Sequence, residues 1–192
     1  MICAFDSDRY PSNVHIRSGS ILPLQQPGYT TVASRANPFN LIITLDKFGG
    51  AAGSLYLDDG YSLVPNATKN VQFNFWQNRL TAKVSGAYNA AEPLANITVA
   101  GLLAAPAAVY FAGEECYGGE DHGRPGANGV QTSFADGVLH ITGLEELTAS
   151  GAYKDSWELD IVPGYGQHGP HSWGPLGGWN WQGSGWSRAP PS

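Results

Sequence analysis

The sequence predicts an all-β protein built from short antiparallel strands. Runs rich in β-branched and aromatic residues alternate apolar and polar positions, as half-buried strands do. Clusters of Gly, Pro, Asn and Asp separate these runs at intervals of about 8 to 15 residues, a spacing typical of sandwiches and barrels. The chain has 192 residues, of which 42% are hydrophobic, so it can bury a core. We expect two small antiparallel β-sandwich domains in tandem, followed by a flexible tail rich in Gly, Pro and Trp.

Residues 13–65 are predicted to form part of a first β-sandwich. Val14 and Ile16 alternate with polar neighbours, which indicates a strand with one buried face. Asp58-Asp59-Gly60 has the composition of a tight turn, because Asp bonds nearby backbone and Gly accepts positive φ. Strands are expected at residues 14–16, 41–45 and 54–57.

Residues 66–162 are predicted to form a second, complete sandwich. Ala135-Asp136-Gly137 is typical of a three-residue hairpin connection, with Gly at the position that needs positive φ. Residues 144–150 form the one plausible helix. Strands are expected at residues 71–76, 80–85, 96–101, 108–112, 131–134, 138–142 and 157–162.

The two ends of the chain differ from the part between them. Residues 1–12 have neither a basic leader nor an apolar segment long enough for a secretory signal peptide. Residues 163–192 lose all alternation, and their composition predicts a disordered tail. An alternative for the tail is a platform that stacks on sugars or docks a partner through Trp173, Trp179, Trp181 and Trp186.

Charge and hydropathy exclude two classes of partner. Charged residues make up 14% of the chain, the net charge is -6, and Lys and Arg are scattered, so a phosphate backbone finds no basic stripe. The most apolar stretch, residues 99–111, is interrupted by Gly101 and Pro106 and is too short for a membrane span. We expect neither nucleic acid nor a membrane as a partner.

The sequence predicts no catalytic residue. Asp58-Asp59 is the most suggestive acidic pair, but glycoside hydrolysis needs two carboxyls that face each other roughly 5 to 9.5 Å apart across a sugar. Adjacent residues of an extended chain point to opposite faces, so these two are interpreted as turn residues. Gly183-Ser184-Gly185 follows no strand, and the proximity of Cys116 to His122 in sequence does not define a catalytic pair.

No metal site or cofactor is predicted either. An acidic cluster could in principle offer oxygen ligands to a hard cation, but its spacing fits no calcium loop, and it is interpreted as a solvated loop. The histidines outside it lack metal-binding spacing. The cluster comprises Glu114, Glu115, Glu120, Asp121 and His122, and the other histidines are His15, His140, His168 and His171.

Two features bear on the cellular compartment. Asn66-Ala67-Thr68 and Asn96-Ile97-Thr98 match the glycosylation sequon, which makes Asn66 and Asn96 candidate glycosylation sites in the secretory pathway. Cys3 and Cys116 could pair in an oxidising compartment, but two cysteines define no disulfide framework, and both states remain open.

A composite of motifs resembles the region that follows the catalytic barrel in glycoside hydrolase family 31, the α-glucosidase family. The most specific part is the run VHIRSGSILPLQ at residues 14–25. In order along the chain, the others are Tyr29-Thr30-Thr31, Arg35 with Asn37-Pro38-Phe39, residues 41–46, GSLYLDDG at 53–60 with Ser62, VLHITGL at 138–144 and WEL at 157–159.

The resemblance covers residues 13–162 and implies the end of a proximal β-sandwich followed by a distal one. In that family the aspartate nucleophile and acid/base lie upstream in the barrel, and no position here matches their motifs. The resemblance implies a non-catalytic C-terminal module that supports a barrel. It also implies an extracellular or secretory location. Expected partners are such a barrel, or further copies of the chain through exposed apolar surface. The β-sandwich pattern and the aromatic residues support an alternative, a carbohydrate-binding module that takes an oligosaccharide through Tyr29, Tyr61, Trp76 and the tail tryptophans.

Overall fold

The computed structural model describes residues 2–5, 12–118, 129–164, 179–182 and 185–188. These residues form strands and one short helix, so the predicted all-β class is confirmed. In chain order the elements are β1 (Ile2–Phe5), β2 (Ser12–His15), β3 (Ser20–Gln25), α1 (Thr31–Arg35), β4 (Phe39–Thr44), β5 (Ala51–Leu57), β6 (Lys69–Trp76), β7 (Arg79–Gly86), β8 (Leu94–Ala100), β9 (Pro106–Phe111), β10 (Glu114–Gly118), β11 (Gln131–Ala135), β12 (Val138–Thr142), β13 (Trp157–Pro163), β14 (Trp179–Gln182) and β15 (Gly185–Arg188).

Eleven strands are hydrogen-bonded in the order β10-β9-β13-β7-β6-β5-β3-β4-β8-β12-β11. The β3–β5 pairing consists of one register pair, Ser20 with Ala52. Next to it, a Cβ on Gly53 would overlap the carbonyl oxygen of Ile21, so β3 crosses closely over β5. The sheet therefore turns a corner at this point, with a six-stranded layer from β10 to β5 and a five-stranded layer from β3 to β11.

The inner faces of the two layers share one hydrophobic core. Alternation places Val71, Phe73 and Phe75 of β6 inside, and Ile97 and Val99 of β8 pack into the same cluster. The eleven hydrogen-bonded strands thus share one core that draws on both layers.

The predicted tandem arrangement of two sandwiches is not confirmed. β4, from the predicted first domain, pairs in parallel with β8, from the predicted second. β5 pairs with β6 over seven residue pairs, from Ala51–Phe75 to Leu57–Lys69. The strands just before and just after the predicted boundary at residues 65 and 66 therefore belong to the same eleven-stranded sheet. Alternation predicts which face of a strand is buried, but it does not reveal which distant strand becomes its neighbour.

Two local predictions differ from the structure. Ala135 pairs with Val138, so the β11–β12 connection has two residues rather than three. Asp136 (φ 51°) and Gly137 (φ 76°) both adopt positive φ, the geometry of the tight turn that matches strand twist. Residues 144–150 form consecutive turns and not a helix.

The helix that does form, α1, was not predicted from the sequence. It spans Thr31–Arg35 and begins after Thr30, whose Oγ1 accepts a hydrogen bond from the backbone N–H of Ala33. This is a regular N-cap, and it follows a Pro-Gly pair that stops the preceding strand. The helix buries none of its residues, so apolar periodicity could not reveal it.

The ends of the chain contain two further hairpins. β1 pairs with β2, and β14 pairs with β15, each in antiparallel register. The region expected to be a disordered tail therefore contains paired strands at residues 179–182 and 185–188. Trp173, Gly183 and Ser184 lie outside the described residues, as do Glu120, Asp121, His122, His168 and His171. In the described part of the chain, no helix is long and apolar enough to cross a membrane.

Candidate docking surface

A polar network holds the connection between β3 and β4 in a compact loop. The Gln25 side chain donates from Nε2 to the carbonyl oxygens of Arg35 and Asn37, each at 3.1 Å. Asn37 returns a bond from Nδ2 to the carbonyl of Gln26 at 2.8 Å. These hydrogen bonds therefore fix the C-terminal end of the loop that carries α1 to the end of β3.

Arg35 extends this network to the turn that follows β5. Its Nη2 donates to the carbonyl oxygen of Asp58 and lies 3.8 Å from the carboxylate oxygen Oδ1 of the same residue. Gly60 packs under the guanidinium, since a Cβ there would lie 2.8 Å from Nη1 of Arg35. Gly60 also has φ +71°, so this turn favours glycine for both conformation and space.

Asp58 and Asp59 fold the turn through their carboxylates. Asp58 Oδ1 accepts from the backbone of Gly60 at 2.9 Å. Asp59 Oδ1 accepts from the backbone of Tyr61 and Ser62, and its Oδ2 accepts from Ser62 Oγ at 2.6 Å. The Ser62 hydroxyl, followed by the two backbone donors, lowers the pKa of Asp59. A glycosidase general acid needs a raised pKa, so Asp59 is unsuited to that role and serves the turn.

The segments joined by this network present a group of exposed apolar side chains. We call this group the apolar flank. It comprises seven of the twelve large hydrophobic residues that are exposed in the described part of the chain: Leu22, Leu24, Tyr29, Val32, Tyr61, Leu63 and Val64.

Strand β3 explains why the flank is unusual for a solvent-facing surface. Ile21 points into the core and is 3% exposed, whereas Leu22 and Leu24 alternate to the other face, at 38% and 45%. Leu22 lies opposite Ile42 of β4, which extends the apolar row. A strand that is apolar on both faces is typical of one covered on both sides. The continuous apolar composition of Ile21-Leu22-Pro23-Leu24 could have revealed this property in the sequence.

The structure places Cys116 where it cannot serve as a nucleophile. Cys116 is a buried free thiol, and the side chain of Cys3 lies outside the described part of the structure. Burial is the largest influence on its pKa and raises it, which keeps the sulfur protonated at neutral pH. The described residues contain no group of three or more His, Cys, Asp or Glu side chains that could hold a metal ion.

The two sequon asparagines have different surroundings. Asn66 is exposed in the segment between β5 and β6. Asn96 lies in β8, between β4 and β12, and its Nδ2 donates to Oδ1 of Asn40 at 2.7 Å. Glycosylation at either position stays a prediction.

Three of the aromatic residues proposed for sugar binding are exposed. Tyr29 and Tyr61 belong to the apolar flank. Trp76, at the end of β6 in the other layer, is 53% exposed and is not part of the core.

Curated relatives match most of this chain but only a small part of their own length. The α-glucosidase of Schizosaccharomyces pombe is 44% identical over 149 residues, which cover 78% of this chain and 14% of that protein. Glucoamylase 1 of Schwanniomyces occidentalis is 41% identical over 146 residues, or 76% and 14%. The α-glucosidase of Aspergillus niger is 38% identical over 147 residues, or 77% and 14%. No protein-family model matches the chain.

Solved structures agree in fold. The glucosidase II α subunit bound to α3-Glc2 aligns with a TM-score of 0.50 and 19% identity, covering 76% of this chain and 17% of that one. The ER glucosidase II heterodimeric complex gives a TM-score of 0.51 at 18% identity, covering 79% and 18%. The sequence identity to these curated relatives thus agrees with the family resemblance that the motifs indicated. The chain is related to the α-glucosidases of glycoside hydrolase family 31, over a β-rich segment that makes up about 14% of their length.

Proposed function

We propose that this chain is a non-catalytic C-terminal β-sandwich module of an α-glucosidase-like glycoside hydrolase, and that it supports a catalytic barrel through the apolar flank. The observation that carries the proposal is the outward exposure of Leu22 and Leu24 on a strand whose Ile21 is already buried in the core on the other face. Covering such side chains removes apolar surface from water, which is the main driving force of domain docking.

The partial match to the relatives supports a barrel as the partner. The matched segment is 14% of the α-glucosidase of S. pombe, so most of that protein lies outside it. A module of this size within one long chain normally packs on its neighbouring domain, through an interface of about 600–1,500 Å². The family resemblance implies a barrel upstream of this segment, which supports the barrel as the proposed partner.

The described carboxylates support a non-catalytic role. Asp46 Oδ1 accepts from the backbone of Phe48 and Gly50, and these bonds lower its pKa, with that from Gly50 the strongest. Asp160 binds Nε of Arg79 at 2.5 Å. With Asp59 in the turn, these acids stabilise local structure. The pKa values of Asp46 and Asp59 are lowered by hydrogen bonds, whereas a general acid needs a raised pKa.

Complementation of a split enzyme tests the proposal. The remainder of the S. pombe α-glucosidase would be produced without the segment that matches this chain, and hydrolysis of a chromogenic α-glucoside would be measured. We expect no hydrolysis from this chain alone, and recovered hydrolysis when the two pieces are mixed. Hydrolysis by the purified chain alone, above a boiled control, would contradict the non-catalytic role.

Surface variants identify the docking face in the same assay. Leu22→Asp with Leu24→Asp should abolish the recovery, because each places a charge in the interface. Phe48→Asp is the matched control, since Phe48 is 71% exposed but lies outside the apolar flank. Recovery that survives the double leucine variant would remove the flank from the proposal.

We also propose that the chain works in the secretory pathway. The support is the exposed Asn66 sequon together with the fold shared with a protein described as ER glucosidase II. A mass decrease of the purified chain on treatment with an N-glycosidase, after production in a eukaryotic secretory host, is the test.

A further inference from the structure

The outer face of the six-stranded layer carries a shallow polar groove of about 880 Å³. It lies on β5, β6, β7 and β13, whereas Leu22 and Leu24 of the apolar flank belong to the five-stranded layer. Its polar lining includes Ser54, Gln72, Asn74, Thr81, Lys83 and Glu158.

Strand register arranges these side chains in two rows. Ser54 lies opposite Gln72, which lies opposite Lys83. Asn74 lies opposite Thr81, which lies opposite Glu158. Neighbours across a sheet have Cβ atoms about 5 Å apart, so the two rows form a continuous array of hydrogen-bond donors and acceptors.

The packing beneath the groove holds this array in place. Val71, Phe73 and Phe75 alternate with Gln72 and Asn74 along β6 and are almost fully buried in the core. A register slip would expose these three side chains, so the outward direction of the amides is fixed. The small side chains of Ala52 and Ser54 on the neighbouring strand leave the space that makes the surface concave.

Two exposed aromatic side chains, Trp76 and Tyr56, lie near opposite ends of the groove. Trp76 follows Gln72 and Asn74 on the same face of β6 and is 53% exposed. Its ring edge packs on Gly50, where a Cβ would lie 3.2 Å from Cε3. Tyr56 follows Ser54 on the same face of β5 and is 54% exposed. Fixed indole and phenol rings beside amides offer both apolar faces and polar edges to a ligand.

The charges on this face largely cancel. Arg79 lies 2.5 Å from Asp160, between Nε and Oδ1, and 3.3 Å from Glu158, between Nη1 and Oε2. Arg79 is therefore paired with carboxylates and is not positioned to take an anion. The groove thus offers many neutral hydrogen-bonding groups, and its electrostatic potential is small because the charges cancel. A small potential disfavours phosphate or acidic peptide ligands.

We propose that this groove binds a neutral oligosaccharide. Amides, hydroxyls and the ends of Lys83 and Glu158 would pair with sugar hydroxyls, and Trp76 would stack on the apolar face of a pyranose ring. This role differs from docking on a barrel, because it uses the other layer of the sandwich. It also differs from a site at Tyr29 and Tyr61, which lie in the apolar flank.

Calorimetric titration of the full chain with maltoheptaose and, separately, with cellohexaose tests the proposal. We expect saturable binding of at least one oligosaccharide. Trp76→Ala and the double variant Gln72→Ala with Asn74→Ala should each weaken it about tenfold or more. Tyr29→Ala is the matched control, since it removes an exposed aromatic outside the groove and should leave binding unchanged.

A second readout separates lost binding from lost structure. Thermal unfolding of each variant, followed by circular dichroism, should give a transition as cooperative as that of the unaltered chain. Trp76→Phe keeps a ring for stacking and should retain more affinity than Trp76→Ala. The proposal is overturned if neither oligosaccharide gives saturable heat at millimolar concentration, or if binding is lost in Tyr29→Ala and retained in the folded groove variants.

Discussion

Arg35 donates a hydrogen bond from Nη2 to the main-chain carbonyl of Asp58, a residue 23 positions further along the chain. The bond connects the end of α1 to the turn after β5, and so joins the two loops that carry most of the apolar flank. Because Gln25 in turn holds the carbonyl of Arg35, both loops are fixed to β3. A docking surface that is already ordered loses less conformational entropy when a partner covers it.

Arg35→Ala should lower the free energy of unfolding by about 1 kcal/mol, the contribution of a partly buried hydrogen bond. The ion pair with Asp58 adds little, because the side chains are 42% and 27% exposed and solvent screens them. Urea unfolding measures the change. Arg17→Ala, at an exposed position, is the control and should have no effect. An equal loss in both variants would mean that the contact with Asp58 is not a source of stability.

Gly60→Ala should destabilise the chain by about 1 kcal/mol or more, since it combines positive φ with a close approach to Arg35. Gly49→Ala is a matched control for conformation. Gly49 has φ +78°, but a Cβ there would meet nothing within 4 Å. We expect the urea midpoint of Gly60→Ala to fall below that of Gly49→Ala. Equal midpoints would mean that the Arg35 guanidinium moves aside without a loss of stability.

Tyr153→Phe should stabilise the chain by about 1 kcal/mol at neutral pH. The hydroxyl of Tyr153 is buried and finds no hydrogen-bond partner among the described residues, while its ring packs edge-on against Phe39 at 4.9 Å between centroids. Removing the hydroxyl keeps the ring contact and ends the desolvation cost. Tyr61→Phe, at an exposed position, is the control. A destabilised Tyr153→Phe variant would indicate that the hydroxyl is satisfied in solution.

The same residue predicts a dependence on alkaline pH. Burial raises the pKa of Tyr153 above its ordinary value of about 10. Above pH 10 the unfolded chain loses this proton while the folded chain keeps it, so the free energy of unfolding falls as pH rises. Tyr153→Phe should make this fall less steep in urea unfolding between pH 9 and about 11. Equal slopes for the two proteins would contradict the raised pKa.

Of the two sequons, Asn66 should be glycosylated and Asn96 should not. A glycan on Asn96 Nδ2 would break its bond to Asn40 and would have to leave from the middle of a sheet layer. Mass spectrometry of the chain from a secretory host should show one glycan, which is lost in Asn66→Gln and kept in Asn96→Gln. A glycan that persists in Asn66→Gln would reverse the assignment.

The sequence predicted strands such as β6 and β12 because each carries its own alternation, whereas β3 and β10 were not among the expected strands. The run Val71-Gln72-Phe73-Asn74-Phe75 gives both the buried face of β6 and the polar rows of the groove. It could not predict that Gln72 and Asn74 would lie beside Ser54 and Thr81, since register between distant strands leaves no local mark.

The loops show the same limit in another form. Asp58 and Asp59 were correctly interpreted as turn residues because short acidic side chains bond nearby backbone. The contact from Arg35 depends on how α1 and the turn meet, and α1 buries nothing that would give it a periodic signal. The β4–β8 and β5–β6 pairings likewise connect strands of the two predicted domains in one sheet, and alternation does not specify such pairings.

The proposed function requires the apolar flank to dock on a catalytic domain. Sedimentation velocity of this chain mixed with the remainder of the S. pombe α-glucosidase, produced without the matching segment, measures this docking. We predict a 1:1 complex that is lost in the double variant Leu22→Asp with Leu24→Asp and kept in Phe48→Asp. Two species that sediment independently, or a complex that the double leucine variant leaves intact, would contradict the claim.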